Sequence, residues 1–300
     1  MKILCFDVGG TNTKYAVLDE ELNLTHKGRF PTIYSSLDDF IRGIEKIYEE
    51  VAEEVSGFAM SMPGVIDPVT GYVKFGGSLV SIIRDINLKD MLKERLGCPV
   101  SIANDAKCAA MAEVGYGSLK DSRNAIVITL GTGIGGCLVY NREVVYGSHL
   151  YSGEFSFIRP GFDRDRVIPW AHRNGAAGLL ARVQERLGTD QQFTGEEIFA
   201  MAAEGNEKVL AALDQFTYEL ARQLYNLQCV FDPEKVAIGG GISEQPMLFE
   251  MLERNLEAVR EQFGRMSPPK PQVVTCQFNN DSNLLGAMYK FLQDREKGIN

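Results

Sequence analysis

Two stretches, Asp7-Val8-Gly9-Gly10-Thr11-Asn12-Thr13-Lys14 and Leu130-Gly131-Thr132-Gly133-Ile134-Gly135-Gly136, each set a glycine-rich turn between short apolar runs. A strand that stops in Gly-Gly-Thr and resumes as another strand leaves backbone N–H groups free to point at one anion. Two such turns facing each other would hold the phosphates of a nucleotide from both sides, so the chemistry indicated is phosphoryl transfer. Asp7 ends its strand where the carboxylate would lie against the transferred phosphate. A bare carboxylate would repel that group, which implies a Mg²⁺ between them, held directly or through water. The plainer alternative is that Asp7 only caps the turn.

Three further positions fit the same chemistry. Asn104-Asp105 ends a strand and opens a helix, and ligands of open α/β sheets bind at strand ends. Asp105 is therefore the candidate general base, taking a proton from an attacking hydroxyl; a plain N-cap is the alternative. Its place at a helix N-terminus is expected to keep its pKa low. Pro63-Gly64 could set backbone beside a small polar substrate. Glu154, between Tyr151-Ser152-Gly153 and Phe155, could accept hydrogen bonds from sugar hydroxyls or be an ordinary surface residue. Gly239-Gly240-Gly241-Ile242-Ser243 follows a strand and precedes a helix, and its bare backbone suits a flat ring, here assigned to the adenosine end.

The elements that must position these residues follow from pattern. Ile3–Asp7 and Lys14–Leu18 read as strands around the first turn, and Leu37–Val55 carries apolar residues at helical spacing. Strands are expected at Ser56–Met60, Pro99–Ala103, Ala125–Leu130, Gly136–Tyr140, Lys235–Ile238 and Gln272–Gln277. Helices are expected at Leu88–Leu96, Ala106–Val114, Gly175–Leu187, Thr194–Glu204, Lys208–Phe231 and Asn283–Gln293. Strands alternating with helices, twice over, predict two similar α/β halves with mainly parallel sheets.

The 300 residues suffice for two medium domains, and the net charge of −9 argues against a nucleic-acid or membrane-surface partner. Met1–Leu4 runs straight into a strand pattern, leaving no room for a signal peptide. No apolar run approaches the roughly 20 residues of a membrane span. None of the six cysteines lies within four residues of another, so no zinc knuckle or redox pair is read, and a reducing cytoplasm is expected. His26, His149 and His172 are read as structural or exposed rather than as metal ligands.

Together these residues resemble the ROK family, named for repressors, unidentified reading frames and sugar kinases. The likeness rests on Asp7-x-Gly-Gly-Thr-x-x-Lys14 with Asp19, Pro63-Gly64, Asn104-Asp105, Leu130–Gly136, Gly153-Glu154 and Gly239–Ser243, and spans nearly the whole chain. The resemblance implies the duplicated actin-like ATPase (ribonuclease H-like) α/β fold, with two domains flanking a nucleotide cleft. Residues 1–117 would form the small domain together with a returning C-terminal helix at about 282–297. Residues 118–281 would form the large one. It also implies that Asp105 is the general base, and that Pro63, Gly64, Asn104 and Glu154 hold sugar. Asp7, Gly9, Gly10, Thr11, Asn12, Lys14, Gly131, Thr132, Gly133 and Gly239–Gly241 would hold ATP and its Mg²⁺. A homodimer through the second domain is expected on the same ground.

One departure matters. Many ROK kinases follow the Glu with a Gly-His and a cysteine-rich zinc cluster ending in a second sugar-binding Glu. Here Phe157 occupies the His position and Ile158–Trp170 contains no cysteine, so no structural zinc is expected. Trp170 or His172 lies near the place of the second Glu, and Phe157 with Trp170 would then form an aromatic wall suited to a second ring or aglycone, as in β-glucoside kinases. Alternatively both are core residues filling the space of the absent cluster. N-acetylmannosamine, glucose and fructose kinases remain open. A sugar-sensing repressor would need a DNA-binding segment ahead of the first turn, and only six residues precede Asp7.

Overall fold

Each glycine turn reverses the chain between two strands too close to be joined in parallel, so the strands on either side pair antiparallel; parallel neighbours need a longer crossover. The computed structural model describes residues 1–161, 168–278 and 280–300. Its strands are β1 (Lys2–Val8), β2 (Asn12–Asp19), β3 (Leu24–Pro31), β4 (Phe58–Met62), β5 (Val65–Ile66), β6 (Tyr72–Phe75), β7 (Arg84–Asn87) and β8 (Val100–Asn104), followed by β9 (Ala125–Leu130), β10 (Ile134–Tyr140), β11 (Glu143–Val145), β12 (Lys235–Gly239) and β13 (Val273–Thr275). The helices are α1 (Leu37–Val51), α2 (Leu88–Leu96), α3 (Asp105–Gly115), α4 (Trp170–Asn174), α5 (Ala176–Leu187), α6 (Gly195–Ala203), α7 (Glu207–Phe231), α8 (Pro246–Gln262) and α9 (Ser282–Lys297).

The chain divides into two compact units. One holds Met1–Lys120, Tyr146–Tyr151 and Asn280–Asn300; the other holds Asp121–Val145 and Ser152–Asn279. Unit 1 is built on a five-stranded sheet ordered β3-β2-β1-β4-β8, unit 2 on one ordered β11-β10-β9-β12-β13. The two orders are the same. In both, the first three strands pair antiparallel and the rest parallel. The expectation of mainly parallel sheets is corrected by this: half of each sheet is antiparallel, because the glycine turns fold the chain straight back. A third, three-stranded antiparallel sheet, β5-β6-β7, belongs to unit 1.

Each sheet buries its own core. In unit 1 Leu4, Phe6, Phe40, Ile44, Phe58, Met60 and Ile102 are almost fully excluded from solvent; in unit 2 Ile126, Ile128, Leu213, Phe216, Leu224 and Ile238 are. The helix α9, from the far end of the sequence, packs on α3 and on β1, β4 and β8 of unit 1. It comes close at Gly286, where a Cβ would stand 1.8 Å from the Cys108 carbonyl oxygen. Buried Asp294 fastens the other end, accepting from Ser101 Oγ at 2.7 Å and pairing with Lys290, whose Nζ also reaches the Pro68 carbonyl at 2.9 Å.

Sequence spacing located most elements but not β3, whose polar residues Thr25, His26, Lys27 and Arg29 are all exposed at a sheet edge, and did not delimit α8. We expect Gly286→Ala to cost about 1–3 kcal/mol. Urea denaturation monitored by circular dichroism would measure it, and an unchanged midpoint would contradict the close packing of α9 on α3.

Candidate active site

Three parallel strands of unit 1 bring its candidate residues to one edge of the sheet. Asp7 of β1 lies in register with Ser61 of β4, Ser61 with Ala103 of β8, and Met62 with Asn104. The residues that follow are therefore neighbours: the Gly9–Asn12 turn after β1, Pro63-Gly64 after β4, and Asn104-Asp105 where β8 becomes α3. The Asn104 side chain ties two of these together. Its Nδ2 donates to the Gly64 carbonyl at 2.9 Å, and its Oδ1 accepts from the Lys107 N–H at 3.2 Å, capping α3. The N-cap is thus Asn104, and Asp105 is the first helical residue. That assignment removes the plain-cap alternative for Asp105.

The first turn is braced from behind. Gly9 N–H bonds the Asn12 carbonyl at 3.0 Å. Thr32 Oγ1 donates to the Gly9 carbonyl at 2.7 Å and Tyr34 Oη to the Gly10 carbonyl at 2.6 Å. With the carbonyls held back, the N–H groups of Gly10 and Thr11 find no acceptor among the described residues, and both residues are exposed. Free amides in a tight turn form an anion-binding concavity. Gly77, at φ +59°, packs against Pro63 and Gly64, which puts exposed Ser78 beside Gly10. Ser78 carried no signal in the sequence, since a serine in a glycine-rich loop is unremarkable.

Asp7 keeps only 8% of its surface exposed. Its Oδ1 accepts from Asn283 Nδ2 at 2.9 Å, and its Oδ2 stands 3.9 Å from Lys14 Nζ. Burial pushes its carboxyl above the ordinary value and the Asp105 charge adds to this, while Asn283 and Lys14 oppose it. Asp105 is only partly covered at its surface, but the protein around it is dense. That desolvation raises its carboxyl above the usual range, against the opposing Ala106 N–H at 2.8 Å and the Lys107 charge. The expected low pKa is thereby corrected: at this helix start desolvation outweighs the dipole.

Unit 2 repeats the arrangement with different chemistry. Gly131 N–H bonds the Gly133 carbonyl at 3.1 Å, and the Gly131 carbonyl accepts from Ala176 N–H at 2.7 Å at the start of α5. No acceptor is recorded for the N–H groups of Thr132 and Gly133 among the described residues. In register, Gly239 of β12 lies beside Thr129 of β9, so the triple glycine follows the strand next to this turn. Gly240 has φ +94°, and a Cβ there would stand 2.3 Å from the Leu130 carbonyl oxygen. Glu154 is half-buried at the start of a short 3₁₀ turn, Phe155–Phe157. Its neighbour Phe155 sits over β10 where Gly136 lacks a side chain.

The aromatic wall is corrected in part. Trp170 is fully buried, packs at a tilt against Phe155 with ring centroids 5.9 Å apart, and donates from Nε1 to Asn174 Oδ1 at 2.9 Å. It is a core residue. Phe157 is 66% exposed, and His172 is exposed. Of the cysteine-free stretch Ile158–Trp170, residues 162–167 lie outside the described residues. Among the described residues no group of three or more His, Cys, Asp or Glu is placed to hold a metal ion. Among the described residues no helix is long and apolar enough to cross a membrane.

Two five-stranded sheets of identical order, each with a glycine turn after its first strand, define the duplicated actin-like ATPase fold. The chain belongs to the ROK family, whose model matches residues 3–294. A beta-glucoside kinase of Listeria monocytogenes is 34% identical over 303 aligned residues, covering 99% of this chain and 99% of that one. A beta-glucoside kinase of Klebsiella pneumoniae is 32% identical, covering 98% and 97%. The crystal structure of a ROK family protein from Streptococcus pneumoniae in complex with sucrose is 26% identical with a TM-score of 0.88, covering 99% of this chain and all of that one.

If the Asp105 carboxyl is raised by burial, its ionised form destabilises the free protein at neutral pH relative to low pH. Asp105→Asn removes that charge without changing shape, so its melting temperature at pH 7 should equal or exceed that of the parent. Differential scanning calorimetry checks this, and a clear drop would argue against the desolvated carboxylate.

Proposed function

We propose that this protein, an ATP-dependent sugar kinase of the ROK family, phosphorylates the C6 hydroxyl of the glucosyl unit of a β-glucoside, with Asp105 as general base. The observation that supports the base is the convergence of Asp7, the Gly9–Asn12 turn, Pro63-Gly64 and Asn104-Asp105 at one edge of the unit 1 sheet. Asp105, which accepts from the Ala106 N–H through Oδ1 and also from the Asn104 side chain, would take the hydroxyl proton as the oxygen attacks the γ-phosphate in line. Asn104, fixed by its bonds to the Gly64 carbonyl and the Lys107 N–H, also donates toward the Asp105 carboxylate and would contact the sugar.

The free amides of Gly10 and Thr11 in unit 1 and of Thr132 and Gly133 in unit 2 would stabilise charge on the phosphate oxygens. Asn12 and Lys14 complete the first turn, and Gly239–Gly241 would take the adenosine end. A single carboxylate, Asp7, next to free amides fits a hydrated Mg²⁺ better than an all-protein cage, because Mg²⁺ keeps waters and takes its other ligands from phosphates. Asp7 would hold the ion through water, and the ion would neutralise developing charge on those oxygens.

The β-glucoside reading rests on two supports. The relatives named beta-glucoside kinase align over almost their whole length, and Phe157, three residues after Glu154, presents an exposed aromatic ring that could stack on an aglycone or second sugar. Glu154 would accept hydroxyls of the sugar. Free glucose, fructose and N-acetylmannosamine are the competing substrates. The remaining parts of the reading are a small domain of residues 1–117 with the helix at 282–297, a large domain of 118–281, a homodimer and a cytoplasmic location.

ADP release coupled to NADH oxidation, run against free hexoses and β-glucosides such as cellobiose, tests the substrate. Higher kcat/KM on β-glucosides supports the proposal, whereas turnover confined to free hexoses overturns it. Asp105→Asn should lower kcat by at least ~10²-fold. For the parent, kcat/KM should fall on acidification with a midpoint above 3.8, the ordinary aspartate value, because the base works only when ionised. A profile flat down to pH 4 would remove Asp105 from that role.

A further inference from the structure

Asp7 is reached by a side chain from the far end of the chain. Asn283, in the first turn of α9, donates from Nδ2 to Asp7 Oδ1 at 2.9 Å, 276 residues away in sequence. The same end of α9 is fastened to the next two strands of that sheet by two other contacts. Lys14 Nζ, opposite Asp7 in the β1–β2 register, donates to the Asn280 carbonyl at 3.3 Å. Lys27 Nζ of β3 pairs with Asp281 at 2.7 Å. Further along, Gly286 lies against the Cys108 carbonyl of α3, the helix that begins with Asp105. The start of α9 is thus held on both sides, and Asn283 has little freedom to leave Asp7.

We infer that Asn283 is a positioning residue for the phosphoryl-transfer site: its amide fixes the rotamer of Asp7, the carboxylate that would hold a hydrated cation. This rests on the reading of Asp7 given above. A carboxylate free to rotate would present either oxygen at varying distances, and an ion bound through water depends on a fixed acceptor. Lys14, 3.9 Å from Oδ2 and 37% exposed, is too loosely placed to fix the carboxylate alone. The Asn283 amide is a charge-assisted donor, the stronger class of hydrogen bond.

Asn283→Asp keeps the shape and replaces the donor by an acceptor, whereas Asn283→Ala removes it. Both should lower kcat by about 10-fold or more, with KM for the sugar changed less than about threefold, a split expected when ground-state sugar binding is untouched. A second readout needs no turnover: Mn²⁺ binding to the enzyme–ADP complex, followed by electron paramagnetic resonance, should weaken several-fold in both variants. In an Asp7→Asn background the Asn283 substitutions should add little, because their target is gone. Asn283→Asp matching the parent in kcat and Mn²⁺ affinity, or full additivity with Asp7→Asn, would overturn the inference. A protein in which Asp7→Asn itself leaves kcat unchanged would instead overturn the reading of Asp7. If Asn283→Asp fails to fold, Asn283→Ala carries the same test.

Discussion

Parallel pairing of β1 with β4, and of β4 with β8, decides where the chemistry of unit 1 can be. Parallel strands all end at the same edge, so the residues just past Val8, Met62 and Asn104 become neighbours although some 95 residues separate the first from the last. The register also fixes the face. A slip of one residue in β1 would turn Asp7 to the opposite side of the sheet and put its apolar neighbours Phe6 and Val8 where the carboxylate now stands. The buried Leu4, Phe6 and Phe58 oppose that slip, which makes the core the guardian of the site's geometry.

The same convergence has a cost. Asp7 and Asp105 are brought into ground poor in water, where each carboxyl is raised by desolvation and Asp7 also feels the charge of Asp105. Two carboxylates gathered this way are unfavourable in the free protein, and in the proposed reaction a cation and phosphates would offset that cost. The helix α9 offsets part of the strain, bringing Asn283 to Asp7 and closing tightly on α3. Residues remote in sequence thereby stabilise a local conflict that strand order creates, and function is placed where stability is least optimal.

Much of this was legible from residue types. The glycine turns, Pro63-Gly64 and Asn104-Asp105 announce themselves because glycine, proline and strand-end acids have few other reasons to occur in that order. What stayed hidden depends on distant contacts. Asn283 is one polar residue in a helix, and nothing local says that it reaches Asp7. Trp170 looked available for stacking, yet Phe155 and Asn174 bury it. The charge state of Asp105 followed surrounding density rather than its helix position, and density is not a property of spacing. Edge strand β3 is polar on its exposed positions and so lacked the apolar run by which its neighbours were found.

Duplication explains why the two glycine turns share a backbone but not a charge. By position relative to the turn, Asp7-Val8-Gly9 in unit 1 corresponds to Thr129-Leu130-Gly131 in unit 2. The parallel-strand neighbour of Asp7 is Ser61, while that of Thr129 is Gly239. Unit 1 therefore sets acids at its strand ends, and unit 2 sets neutral or bare residues there. A second carboxylate at Thr129 would add repulsion at a turn whose free amides are suited to an anion. Gly240, with a positive φ and no room for a side chain beside Leu130, keeps the neighbouring edge equally bare. One topology, used twice, thus carries two kinds of strand end: acids on one sheet, uncharged and bare backbone on the other.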